Sequence, residues 1–160
     1  MLGYQASYGM PTLVLRFFNV FGPWQRPDHD YAAVVPKWLW KIMTGQPIEV
    51  HGDGSQTRDF TYVDSVVDVL VDALERRVSL DSPVNLAFGK RVSLLEVLTR
   101  MEALLGVSPQ VKFAEPRVGD VRNSENDPTL LRSVFLSVEP VQLDVALNKT
   151  AEWLKEHHGR

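Results

Sequence analysis

The 160-residue chain contains no cysteine, which rules out disulfides and thiolate metal sites and makes a reducing cytoplasm its natural compartment. It also lacks a basic excess: 17 lysines and arginines stand against 20 acidic residues, for a formal net charge of -3. A general nucleic-acid or anionic-membrane binder needs a basic face, so neither partner is expected, and any anion must meet a local cluster of arginines. No uninterrupted apolar run approaches the roughly 20 residues of a membrane span. Met1 to Gln5 shows no basic segment leading into an apolar core, so no secretory leader is expected. The four histidines, His29, His51, His157 and His158, stand at no metal-binding spacing with carboxylates, and no metal is expected. Repeats and low-complexity linkers are absent too. What remains, with 44% hydrophobic and 23% charged residues, reads as one soluble domain large enough to bury a core.

The pattern along the chain is mixed α/β. Met1 to Tyr8 reads as the last turns of a helix stopped by Gly9. Thr12 to Phe18 is an apolar and aromatic run broken only by Arg16, which predicts a strand buried on both faces of a parallel sheet. Asn19 to Asp30, with Gly22, Pro23 and Pro27, reads as the loop leaving that strand's carboxyl end, where open parallel sheets place ligands. Asn19 is therefore a site candidate, the alternative being a turn-stabilising asparagine. Tyr31 to Thr44 predicts an amphipathic helix ended by Gly45, with its aromatic residues in the core. Short strands are predicted at Pro47 to His51, Asp59 to Val63, Pro83 to Ala87 and Gln110 to Ala114. Helices are predicted at Ser65 to Arg77, at Ser93 to Leu105 with Ser93 as cap and Gly106 as stop, at Pro128 to Ser133 and at Leu143 to His158.

The densest stretch is Gly52-Asp53-Gly54-Ser55-Gln56-Thr57-Arg58-Asp59-Phe60-Thr61-Tyr62-Val63-Asp64. Two glycines allow a tight turn after the strand ending at His51. Arg58 then emerges on the next extended segment, and Asp64 is placed to cap the following helix. An arginine held in such a frame suits a phosphate or carboxylate, to which it donates two parallel hydrogen bonds. The alternative is an arginine paired with Asp53 or Asp59 on a hairpin.

Three ordered motifs carry a family resemblance: Leu15-Arg16-Phe17-Phe18-Asn19-Val20-Phe21-Gly22-Pro23, the Gly52 to Phe60 segment, and Pro116-Arg117-Val118-Gly119-Asp120-Val121-Arg122. Together they resemble the NAD-dependent sugar-nucleotide epimerases and dehydratases, the extended short-chain dehydrogenases, over essentially the whole chain but only the C-terminal half of that family. The resemblance implies an α/β fold, the C-terminal part of a Rossmann-like enzyme, with residues 1–23 and about 64–88 contributing to an incomplete Rossmann sheet and the remainder forming a small mixed α/β substrate domain. It implies NAD as cofactor of the complete enzyme, not bound tightly by this chain alone. The expected ligand is a UDP- or dTDP-sugar, and the expected protein partner is a cofactor-domain half or a second copy.

Residue by residue, Phe18 matches a position beside the nicotinamide, or is an ordinary core aromatic. Asn19 matches an asparagine bonded to the sugar nucleotide near its diphosphate. Arg58 matches the arginine that grips the diphosphate, and Arg117 and Asp120 match a second diphosphate arginine and an acid toward the ribose hydroxyls, the alternative for Arg117 being an ion pair with Glu115 or Asp120. Glu49 and His51 match the segment flanking the pyrimidine base, His51 otherwise being a solvated surface group. The family's Gly-x-x-Gly-x-x-Gly turn and Tyr-x-x-x-Lys pair are not in this sequence: Tyr4, Tyr8, Tyr31 and Tyr62 are followed four residues later by Tyr8, Thr12, Val35 and Val66. Met1 to Gly9 resembles the end of the family's Tyr-x-x-x-Lys helix, so the given sequence is expected to begin just past the catalytic pair. No turnover is therefore expected of these residues alone, and a non-catalytic nucleotide-sugar binding module or a truncated relic is the alternative to an enzyme half. Trp24 stands where many relatives have a basic residue, and Ala87-Phe88-Gly89 and Ser137 depart from the family's glycine positions.

Overall fold

The computed structural model describes residues 2–28, 32–124 and 126–158. Tyr31, where the sequence starts the first long helix, and His29 lie outside the described residues. In chain order the elements are α1 (Leu2–Tyr8), β1 (Leu15–Phe17), β2 (Val20–Phe21), α2 (Val34–Met43), β3 (Ile48–His51), β4 (Thr57–Asp59) and β5 (Thr61–Tyr62). They continue with α3 (Val63–Glu75), β6 (Val84–Leu86), β7 (Arg91–Ser93), α4 (Leu94–Leu105), β8 (Val111–Ala114), α5 (Thr129–Val134) and α6 (Leu143–His158).

The helices follow from apolar spacing. Helix α2 buries Val35, Trp38, Leu39 and Ile42 on one face, and α4 buries Val97, Leu98 and Met101, the three-and-four repeat of an amphipathic helix. Both pack with α6 into a core that also takes Phe21, Val50, Tyr62 and Leu147. A second core forms where Val66, Val69 and Ala73 of α3 meet Val84 and Leu86 of β6 and Leu131 and Phe135 at α5. Helix α4 starts as its sequence requires: the Ser93 hydroxyl oxygen accepts the Glu96 amide at 3.1 Å, and Gly106 ends it at φ 67°, a left-handed stop that glycine takes without steric cost.

Three of the four strand pairs are parallel: β1 with β6, β2 with β5 and β3 with β8. Only β4 and β7 are antiparallel. Several expectations are corrected here. The strand expected over Thr12 to Phe18 spans Leu15–Phe17, and it is not buried on both faces, Phe17 being 57% exposed; among the described residues only β6 flanks it. The Gly52 turn does not close a hairpin, because β3 pairs with β8 and β4 with β7. Instead Leu95 N and Leu94 N donate to Gly54 O and Gln56 O at 3.2 and 3.1 Å, tying the turn to the start of α4. The strand expected over Asp59 to Val63 breaks at Phe60 into β4 and β5, and α3 begins at Val63 with Tyr62 at the cap position. Asp64 therefore lies inside the first turn rather than capping it, and its carboxylate takes Lys149 at 3.0 Å. No described helix is long and apolar enough to cross a membrane.

Candidate functional site

The parallel register of β2 and β5 sets Val20 beside Thr61 and so carries Asn19 to the end of β4. Asn19 sits at φ 40°, a left-handed conformation that asparagine tolerates better than most side chains. Its Nδ2 donates to Asp59 O at 3.2 Å. The turn-stabilising alternative thus describes a real contact, yet the same residue lines a cavity of about 380 Å³.

Strand β4 carries Arg58 into that cavity. On one side β4 pairs with β7; on the other, Thr57 N donates to Arg122 O at 3.0 Å and Ser124 N to Thr57 O at 3.1 Å. This second pairing draws the 116–122 loop alongside Arg58. The guanidinium closes the arrangement: Nη2 donates to the Asp120 carboxylate, and Nη1 to Thr57 O at 2.8 Å and Val121 O at 2.6 Å. The Arg58 side chain is only 15% exposed, against 36% for Asp120, so this pair is better shielded from water than an ordinary surface ion pair. Neither Asp53 nor Asp59 is its partner. Asp53 accepts Ser55 N and Ser55 Oγ at 2.9 and 2.6 Å, and those bonds hold its carboxyl below the usual range.

Asp59 is fully buried at 0% exposure. Its Oδ2 accepts Gly89 N at 2.7 Å, while burial pushes its pKa up, opposed by the amides of residues 88–90 and the nearby Arg132 charge. It thereby ties β4 to the turn after β6. Gly89 is held there at φ 75°, and a Cβ would come within 2.9 Å of Pro128.

Opposite Arg58, β3 presents Glu49 and His51 to the cavity. His51 Nε2 lies 3.0 Å from Glu49 Oε1, Nδ1 is 3.2 Å from Glu115 O, and Gln56 Nε2 donates to His51 O at 2.6 Å. The histidine is therefore fixed between two segments rather than freely solvated. The structure brings Asn19, Glu49, His51, Arg58, Arg117 and Asp120 onto one cavity. Among the described residues the Arg117 side chain makes neither of the ion pairs that were its alternative reading, with Glu115 or with Asp120. Phe18, half-buried at the end of β1, is not among the lining residues. Sequence reasoning missed Lys37, Trp38 and Lys41 of α2 together with Gln56 and Phe60. The signal available for the lysines was their four-residue spacing, which places both on one side of a helix.

At the departures from the family pattern, Trp24 takes φ 70°, is 81% exposed and sets its ring 5.7 Å from Trp153 and 5.9 Å from His157. Ala87 and Phe88 are buried. Nothing in the structure explains Ser137.

Comparison with known proteins follows the same lines. The sequence model of the NAD dependent epimerase/dehydratase family matches residues 1–87. The chain is 30% identical to a UDP-N-acetyl-alpha-D-glucosaminuronate decarboxylase of Bacillus cytotoxicus over 97% of this chain and 49% of that protein. It superposes with a TM-score of 0.88 and 31% identity on a UDP-N-acetylglucosamine 4-epimerase of Methanobrevibacter ruminantium solved with UDP-N-acetylmuramic acid, covering 96% of this chain and 49% of that one. A UDP-glucuronic acid 4-epimerase of Bacillus cereus, solved with UDP-glucuronic acid and NAD, matches with a TM-score of 0.81 at 28% identity over 96% of this chain and 48% of that one. The chain belongs to the NAD dependent epimerase/dehydratase family. Its fold is that of the extended short-chain dehydrogenases within it, and it spans about half or less of the length of the curated relatives it matches.

The glycine-rich cradle that holds NAD in a Rossmann fold is not in this sequence. A dinucleotide's pyrophosphate needs a glycine-rich strand-to-helix turn; of the β-to-α joins, those at Tyr62–Val63 and Ser93–Leu94 are direct, and the connecting sequences 22–33 and 115–128 hold one glycine each.

Proposed function

We propose that this chain is the nucleotide-sugar-binding part of an NAD-dependent UDP-sugar epimerase, dehydratase or decarboxylase, and that the cavity between α2, β3 and β4 holds the nucleotide. The observation that carries the reading is the convergence of six residues from four separate segments, Asn19, Glu49 with His51, Arg58, and Arg117 with Asp120, on one cavity of about 380 Å³. Cations at Arg58 and Arg117 suit two phosphates, through charge-assisted bonds worth roughly 1.5 to 3 kcal/mol each. Asp120 is an acceptor suited to ribose hydroxyls, and the fixed His51 ring is a flat surface suited to a pyrimidine. UDP is favoured over dTDP because the relatives and solved neighbours carry UDP-sugars in their names.

The test is a thermal unfolding scan of the chain with UDP and with dTDP, since a ligand of the native state raises the midpoint by mass action. A rise with UDP, larger than with dTDP, is expected; a midpoint indifferent to both sinks the reading. The chain alone, given NAD and a UDP-sugar, is expected to release no rearranged product, because no Tyr-x-x-x-Lys pair lies within it.

A further inference from the structure

Among the described residues four cations line the cavity, Lys37, Lys41, Arg58 and Arg117, and they differ in how far they are already committed. Arg58 spends both terminal nitrogens on Asp120, Thr57 O and Val121 O. Lys41 Nζ donates to Pro47 O at 3.2 Å. The two acids among the described lining residues are taken as well, Asp120 by Arg58 and Glu49 by His51. Lys37 is half-buried, and its side chain has neither a hydrogen bond nor an ion pair among the described residues. The Arg117 side chain, on the facing loop, has none either.

Two features argue that Lys37 serves a ligand rather than the helix. Its helix, Val34–Met43, contains no acidic residue, so Lys37 and Lys41 at four-residue spacing repel each other with no compensating carboxylate on α2. Its half-buried side chain at the cavity wall also meets no acceptor among the described residues. An anion entering between α2 and the 116–122 loop offsets the repulsion and supplies that acceptor.

We infer that Lys37 is an anion-contacting residue of this site, meeting a phosphate of a nucleoside diphosphate together with Arg117, while Arg58 acts chiefly as a positioning residue that holds the 116–122 loop through Asp120. The inference rests on the nucleotide reading given above. It assigns the ligand's diphosphate to contacts on two facing walls instead of to Arg58 alone.

The experiment is calorimetric titration of the chain with UDP, with inorganic pyrophosphate and with uridine. Lys37→Met is expected to weaken UDP and pyrophosphate by about three- to tenfold, a discounted figure for a half-exposed cation, and to leave uridine unchanged. Lys37→Arg is expected to retain most of the affinity, and Lys41→Met to lose less than Lys37→Met. Ligand-free melting curves of each variant establish that it folds, and Lys37→Gln stands in should the methionine variant fail. Wild-type binding of UDP with no change in either Lys37 variant overturns the inference alone. An equal loss for uridine overturns it too, because the effect is then not on the phosphates. A wild type that binds neither UDP nor pyrophosphate overturns the nucleotide reading and this inference with it.

Discussion

Arg58 meets its site already engaged: one carboxylate and two carbonyls of its own chain hold it. Removing it therefore loosens protein as well as ligand. Arg58→Ala is expected to speed amide hydrogen exchange across residues 117–124 and to weaken UDP by about tenfold or more; unchanged exchange there would contradict the positioning role. Asp59 gives a second prediction, in pH. Burial raises its folded-state pKa above the ordinary 3.8, so the protonated form favours folding. That contribution is fully present below about pH 4 and is lost as pH rises through the raised value. Asp59→Asn retains an oxygen for the Gly89 amide and abolishes the titration. Between pH 4 and 7 the wild type is expected to lose melting temperature relative to the variant, and a difference between them that stays flat across this range would refute the assignment.

At the scale of elements, α3 shows the two sides of an amphipathic reading. Val66, Val69 and Ala73 are buried, whereas Val67, Leu70, Val71 and Leu74 form an exposed apolar stripe at three-and-four spacing. An apolar stripe of this kind favours association, so Leu70→Lys with Leu74→Glu is expected to shift the chain toward monomer in sedimentation velocity; equal distributions would remove the stripe as the cause. The helices were legible in the sequence because their signal is local: α4 could be read from Ser93, its apolar spacing and Gly106. The strands were legible in position but not in partner. Nothing around Gly52 announces that β3 leaves its chain neighbour for Val111–Ala114, since parallel pairing is decided by surfaces distant in sequence. All seven residues named for the site came from matched segments of the sequence, and the structure sets six of them, all but Phe18, on one cavity. Lys37 and Lys41 could not be found this way, because reading α2 by its apolar positions leaves the polar face undescribed. Asn19 was recognised as a candidate, while its left-handed backbone followed only from the pairing of β2 with β5.

For the molecule as a whole, the site is assembled from segments that the chain delivers at widely different times. Leu15 pairs with Val84, Val20 with Thr61 and Ile48 with Val111, and none of these ladders can begin as a local hairpin. Arg58 waits for Asp120, and His51 for the carbonyl of Glu115. During synthesis from the N-terminus, the elements able to form early are α2, α3 and α4. The cavity walls at β3 and β4 have no completed frame until residues beyond 120 have emerged. Loop closure over such separations precedes the contacts that reward it, which slows folding. A nascent chain stalled before Pro116 would therefore carry the sequence of both long cavity-side helices with the wall opposite them still unbuilt, so that the cavity is a late product of synthesis.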